Sequence, residues 1–368
     1  MSHDFLAKPN TDAAGRARGD SGIPVGTMDT HVPGLDLARF RVFFEDARPG
    51  GVNGALRARV IAGGKSNLTY EVTDGQASWI VRRPPLGHVL ATAHDMSREH
   101  RVITALHPTD VPVPAAYALC EDPDVIGAPF YVMERVEGTP YRLASQLEPF
   151  GSERTGAISA RMVDTLATLH RVDPAEVGLG DFGRPAGFLA RQVRRWKKQL
   201  DASRSRELTG AHDLHHLLEA NLPVEGAPAV VHGDFRLDNL MVDDDDQVAA
   251  VIDWEMATLG DPLTDLALLL VYQRMADLDT GYAVADASTA PGFLTDVEIL
   301  NRYADRSGRD LSAMGFYLGL AHFKLAVILE GIHYRYAHGQ TVGAGFDTVG
   351  AIVEPLLAAG LTSMKENH

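Results

Sequence analysis

The chain has 368 residues, 45% of them hydrophobic and 23% charged, which is enough apolar material for one two-lobed enzyme or for two domains with sizeable cores. A formal net charge of -15 works against general nucleic-acid binding, which needs a basic surface to release counterions, and against docking on anionic lipid. The single cysteine, Cys120, rules out an intramolecular disulfide, fits a reducing cytoplasmic setting, and reads as a small buried residue rather than a nucleophile.

Residues 1–34 are rich in Gly, Asp, Thr and Pro without hydrophobic periodicity, so a mobile tail is expected, with no apolar core of a secretory leader. "LDLARFRVFFEDA" (35–47) has helical spacing and opens the folded part. "ARVIAG" (58–63), "LTYEVTD" (68–74) and "ASWIVRRP" (77–84) alternate or run apolar with β-branched and aromatic residues, the pattern of strands. A helix over 94–107, Cys120 at the end of a further strand, and a strand over 128–138 complete a small sheet crossed by one helix. Gly138–Pro140 closes it. From about 141 the pattern turns helical, in segments 160–172, 187–203 and 212–222. "LGLAHFKLAVILEGI" (318–332) is the most apolar run, but His322, Lys324 and Glu330 make it a buried helix rather than a membrane span.

Two stretches carry the chemistry. "VVHGDFRLDNLMV" (230–242) sets His232, Asp234, Arg236, Asp238 and Asn239 between apolar flanks, so the core pins a polar loop at both ends. "DDDDQ" (243–247) reads as a solvated hairpin tip, because it lacks the glycine and the distal glutamate of a calcium loop. "VAAVIDWEMATLGDPLTDLA" (248–267) then ends an apolar strand in Asp253. Asp234, Asn239 and Asp253 thus arrive at neighbouring strand ends. Two oxygen ligands and a nearby carboxylate are a poor cage for a bare cation, but they suit Mg2+, which keeps waters and takes further ligands from phosphates. The competing reading of Asp253 is a simple turn or cap.

Asp-x-Arg-x-x-Asn, a hairpin and a second Asp form the layout of a kinase catalytic half. With "HGDFRLDN" (232–239), "IDWE" (252–255) and "GDPLTDLA" (260–267) in order, the chain resembles the aminoglycoside phosphotransferase-like (kinase-like) family. The resemblance spans roughly 36–355. It implies an α+β, protein-kinase-like two-lobed fold, with a small N-terminal antiparallel sheet lobe (35–135) that binds nucleotide and a larger, mainly helical C-terminal lobe (136–368). It also implies ATP and Mg2+ as cofactors and a small-molecule hydroxyl as acceptor. Asp234 becomes the catalytic base, and Asn239 and Asp253 the magnesium ligands. Arg236 either touches the transferred phosphoryl group or is a surface arginine paired with Asp238. His232 is expected as a packed core residue, and Asp265 as a helix cap and loop brace.

For the nucleotide half, Gly63, Gly64, Ser66 and Asn67 form a turn whose backbone N–H groups can face phosphates, although the kinase Gly-x-Gly-x-x-Gly pattern is absent. The phosphate-gripping cation is Arg82 or Arg83; strand alternation with Ile80 favours Arg82. Glu99 is placed to pair with it, and the backbone around Glu134–Val136 to meet adenine. Arg82 and "ILEGIHYRYAHGQ" (328–340) resemble the branch joined to acyl-CoA dehydrogenase domains. "GDFG" (180–183) precedes the catalytic loop and so reads as a turn, and His212 with His216 as surface histidines. Arg191, Arg194, Arg195, Lys197 and Lys198 lie on one helix, which either is a solvated face or attracts an anionic acceptor such as a hydroxyacyl-CoA. The alternatives are an aminoglycoside or macrolide phosphotransferase and a nucleotide-binding pseudokinase without transfer.

Overall fold

A computed structural model describes residues 10–11, 17–18, 26–63, 67–86, 94–276, 285–340 and 346–365. Within the N-terminal tail, Asn10–Thr11 (β1) pairs antiparallel with Ala17–Arg18 (β2). The chain folds as two compact units, the first built chiefly from residues up to Pro108 and from Val113–Val136, the second from Thr109–Pro112 and the chain after Glu137.

In the first unit, Asp36 caps α1 (Leu37–Ala47) by accepting from the N–H groups of Ala38 and Arg39, each at 3.0 Å. Phe40 and Phe44, one helical turn apart, stack at 5.5 Å and meet Phe130 and Trp79 on the sheet. The sheet comprises β3 (Arg57–Gly63), β4 (Leu68–Thr73), β5 (Ser78–Arg83), β6 (Ala116–Cys120) and β7 (Phe130–Glu134), all antiparallel, in the order β3-β4-β5-β7-β6. α2 (Met96–Leu106), capped by Asp95, lies between β5 and β6 in the chain. On β5, Trp79 and Val81 enter the core shared with Phe40 and Phe44, so alternation turns Ile80 and Arg82 to the opposite face.

The second unit contains α3 (Ala144–Leu147), α4 (Gly151–Leu169), α5 (Phe188–Ser203), α6 (Ala211–Ala220), α7 (Leu263–Ala276), α8 (Asp296–Ser307), α9 (Met314–Ala337) and α10 (Val349–Ser363). Two short antiparallel ladders interrupt the helices: β8 (Ala229–Val231) with β11 (Thr258–Gly260), and β9 (Leu240–Val242) with β10 (Val248–Val251). Asp246 turns the β9–β10 tip with φ 61° and pairs with Arg154 of α4 at 2.6 Å. α9 is long and apolar enough to cross a membrane by length and composition, yet 94% of its most apolar window is buried inside the protein. It packs against α5, α6, α7 and α10, as expected for a core helix.

Candidate active site

The loop between β8 and β9 is held from behind by one carboxylate. Asp265, in the first turn of α7, accepts from the backbone N–H of His232 at 2.7 Å and of Gly233 at 2.8 Å, and His170 Nε2 lies 3.3 Å from it. Burial would raise the Asp265 carboxyl, but the His170 hydrogen bond, the neighbouring imidazoles and the His232 N–H together hold it below the usual range. Asp265 is therefore a loop brace. The cap expected of it belongs to Asp261, whose carboxylate accepts from the N–H of Leu263 at 3.1 Å. Gly233 turns with φ 85°, and a Cβ there would meet the Met256 carbonyl oxygen at 2.8 Å, so both conformation and space require glycine.

His232 is fully buried, and burial lowers its pKa, keeping the ring neutral. Its Nε2 donates to the Ile252 carbonyl at 3.0 Å while Nδ1 accepts from the Asp234 N–H at 3.3 Å. Both ring nitrogens hold backbone, which is the packed role expected.

Asp234 is 4% exposed. Asn239 Nδ2 donates to its carbonyl and to its Oδ2, each at 2.9 Å, and Oδ1 is buried with no hydrogen-bond partner among the described residues. Burial pushes the carboxyl above the usual range, Arg236 and Lys324 oppose the shift, and Asp238 and Asp253 reinforce it. A buried carboxylate oxygen without a donor suits a group whose partner is a substrate hydroxyl. With Nδ2 committed to Asp234, the Asn239 amide oxygen is the atom left for a cation.

The hairpin register brings Asp253 alongside. Leu240 faces Val251, and Ile252 N–H donates to the Asn239 carbonyl at 2.9 Å, so Asn239 and Asp253 leave adjacent strand ends. Asp253 has φ 67°, and it and Asp246 are the non-glycine residues with positive φ among the described residues. An amide oxygen and a carboxylate at neighbouring strand ends fit Mg2+ that takes its other ligands from phosphates and water. Arg236 pairs with Asp238, and its guanidinium stands 5.1 Å from the Tyr272 ring centroid. At 13% side-chain exposure it is paired but is not a surface arginine.

In the first unit, Arg82 Nε meets Glu99 at 2.8 Å, and Tyr131 donates to the same carboxylate at 3.0 Å. Asn67 donates to the other Glu99 oxygen at 2.9 Å, so its side chain belongs to this network, together with His94 at 2.9 Å. Arg83, the alternative cation, is fixed on the carbonyls of Gly34, Ile126 and Pro84. Gly63 ends β3 opposite Leu68; Gly64 and Ser66 lie outside the described residues. Glu134 uses its N–H on the Ala115 carbonyl at 2.8 Å and its carboxylate on the Ala115 N–H at 3.1 Å. Val136 follows β7 and is half-buried.

A match to the Phosphotransferase enzyme family spans residues 57–296. The chain belongs to that family. Acyl-CoA dehydrogenase family member 11 of Gallus gallus is 35% identical to this phosphotransferase-family chain over 320 residues, 85% of the chain and 41% of that protein. The chain thus spans about two fifths of that relative's length. A solved structure from Ralstonia eutropha, bearing a provisional aminoglycoside phosphotransferase name, is 32% identical with a TM-score of 0.79, covering 92% of this chain and 99% of that one. A thermostable aminoglycoside phosphotransferase APH(4)-Ia variant, in complex with ADP and hygromycin B, shares the fold at 16% identity and TM-score 0.56, covering 88% and 97% of the two chains. The fold is that of kinase-like phosphotransferases.

The remaining expectations sort by environment in this family member. "GDFG" is a turn, with Phe182 buried, and His212 and His216 are exposed. The five cations of α5 do not act as one face. Arg194 and Lys198 are exposed, Lys197 pairs with Asp201 at 2.7 Å, Arg191 ties to the carbonyls of Arg184 and Ala186, and Arg195 borders a cavity. Two residues that sequence reasoning did not place stand beside Asp234. The Tyr272 phenol lies close enough for the Asp234 charge to add to burial in raising its pKa, and Lys324 Nζ donates to the Gly233 carbonyl at 3.1 Å. Tyr272 follows Asp265 by two helical turns and so shares its face, a signal the sequence does contain.

Proposed function

We propose that the chain transfers the γ-phosphoryl group of ATP, with Mg2+, to a hydroxyl of a small molecule. One observation carries this reading: a buried Asp234 carboxylate held by Asn239, with Asp253 at the adjoining strand end. Asp234 accepts the hydrogen bond of the acceptor hydroxyl, orients its oxygen toward the γ-phosphorus, and takes the proton as the oxygen–phosphorus bond forms and ADP departs. Arg236, fixed by Asp238 and Tyr272, offers positive charge to the transferred group. Asn239 and Asp253 would hold Mg2+, whose chemistry is to neutralise charge on the phosphate oxygens. Arg82, oriented by Glu99, grips the α- and β-phosphates, and the backbone around Glu134–Val136 meets adenine.

For the acceptor we favour an anionic hydroxyl compound of the hydroxyacyl-CoA type. The identity to acyl-CoA dehydrogenase family member 11 supports it. An aminoglycoside is the second reading, supported by the name of the Ralstonia eutropha relative. The test is to incubate the chain with Mg2+-ATP and each of a set of hydroxyacyl-CoAs, aminoglycosides and macrolides, and to look by mass spectrometry for the gain of one phosphate. Phosphorylation of a hydroxyacyl-CoA alone is the expected result. Phosphorylation of the antibiotics alone would replace the acceptor class, and ATP binding without transfer to any hydroxyl would make the chain a pseudokinase.

A further inference from the structure

Behind the loop that carries Asp234, a cavity of about 80 Å3 lies within the second unit, bordered by α5, α9 and the backbone of Gly233. Phe188, Trp196 and Leu320 are among its apolar walls. Two cations from different helices border it, Arg195 on α5 and Lys324 on α9, and Gln192 lies one turn before Arg195.

Lys324 has the less usual environment. Its ammonium makes one hydrogen bond among the described residues, to the Gly233 carbonyl, so two of its three donors have no protein acceptor there. No carboxylate oxygen of the described residues lies within 4.0 Å of it. Burial, then the neighbouring Arg195 charge, weaken its hold on the proton, and Asp234 and Asp265 attract it without touching it. Asp265 already serves the loop N–H groups. The Trp196 ring, 5.8 Å from Nζ, gives only weak compensation. A half-buried ammonium without a contacting counter-ion is unfavourable, and a second cation bordering the same space adds to the cost. A small anion beside Lys324 relieves it.

We propose that this cavity binds the carboxylate of a short aliphatic acid, with Lys324 as ion-pair partner and Arg195 and Gln192 as further donors. The apolar walls suit an alkyl stem. At roughly 10–15 Å3 for each water-sized group, the space takes about five to eight non-hydrogen atoms, and a four-carbon acid has about six. The Asp265 carboxylate on the cavity border disfavours a dianion such as inorganic phosphate.

Because the proposal concerns binding, it is tested on the full chain without nucleotide, so failure of phosphoryl transfer leaves its outcome untouched. Calorimetric titrations use butyrate, its neutral counterpart butanamide, and inorganic phosphate. Butyrate is expected to bind at least tenfold more tightly than either, and Lys324→Met to weaken butyrate tenfold or more. Equal affinity for butyrate and butanamide, or unchanged butyrate affinity in folded Lys324→Met protein, overturns the proposal. If Lys324→Met does not fold, Arg195→Met takes its place, with a threefold or greater loss expected and no loss overturning. Adding Mg2+-ATP with each hydroxybutyrate isomer separates two sources of the carboxylate. ATP consumption marks it as the head group of the acceptor, and binding without consumption marks a separate ligand of the same cavity.

Discussion

Asp234 is buried, holds Asn239 with one carboxylate oxygen and presents the other to no donor among the described residues. Asp234→Asn keeps the shape and removes the proton acceptor. Nucleotide affinity should stay near normal by calorimetry while kcat falls by roughly 10²–10⁴, the usual worth of a positioned base. Transfer at the parent rate would remove Asp234 from the mechanism. Gly233, one residue earlier, meets a steric requirement instead. Gly233→Ala forces a side chain into positive φ and against the Met256 carbonyl, so the urea midpoint should drop by the equivalent of about 1–3 kcal/mol with an unchanged slope. Asp234, Asn239 and Asp253 were legible because a local motif and one hairpin hold them together. Lys324 was not, because only tertiary packing brings it to Gly233, 91 residues away in the chain.

Among the elements, α7 and the β8–β9 loop are coupled through Asp265. Asp265→Asn replaces one acceptor oxygen with a donor facing a backbone N–H. A loss of about 1–3 kcal/mol is expected, the cost of leaving a buried N–H without its acceptor, measured by chemical denaturation. α2 and β5 meet at Glu99, whose Oε2 serves both Arg82 and Tyr131. Glu99→Gln removes the negative charge opposite the Arg82 guanidinium, so Arg82 is held less firmly. The KM for ATP should rise about tenfold, equivalent to ~1.4 kcal/mol, while the protein stays folded; an unchanged KM would make the pair purely structural. Strands β3, β4, β5 and β7 could be read from alternation and β-branched content. β8 and β11 have three residues each, too few to show a period, and their pairing depends on contacts across the intervening loop and hairpin.

For the molecule as a whole, three buried histidines set the acid limit. His170, His232 and His322 all have pKa values lowered by burial, His322 to about 4 from 6.5. A depressed folded-state pKa means that the unfolded chain binds the proton first as pH falls. The stability these histidines contribute is therefore full above pH 6.5 and declines toward pH 4, by on the order of 3 kcal/mol from His322 alone. His322→Met should flatten that acid limb in urea midpoints taken between pH 7 and pH 4; an equally steep limb would assign the loss to the other two. The apolar character of α9 was legible in the sequence, but the burial that depresses His322 was not, because it depends on the partners α9 packs against.

The guanidinium on β5 has a consequence for how such proteins are found. Reagents that report nucleotide sites by acylating a lysine amine meet no amine on β5, where Arg82 and Arg83 are the basic residues. The chain has six lysines, of which Lys8 and Lys65 alone precede Val136. A proteome-wide inventory of phosphotransferases built on amine labelling would record this protein at Lys65 or pass over it. Arginine-directed dicarbonyl reagents, used with and without ATP, would place it in that inventory through protection of Arg82.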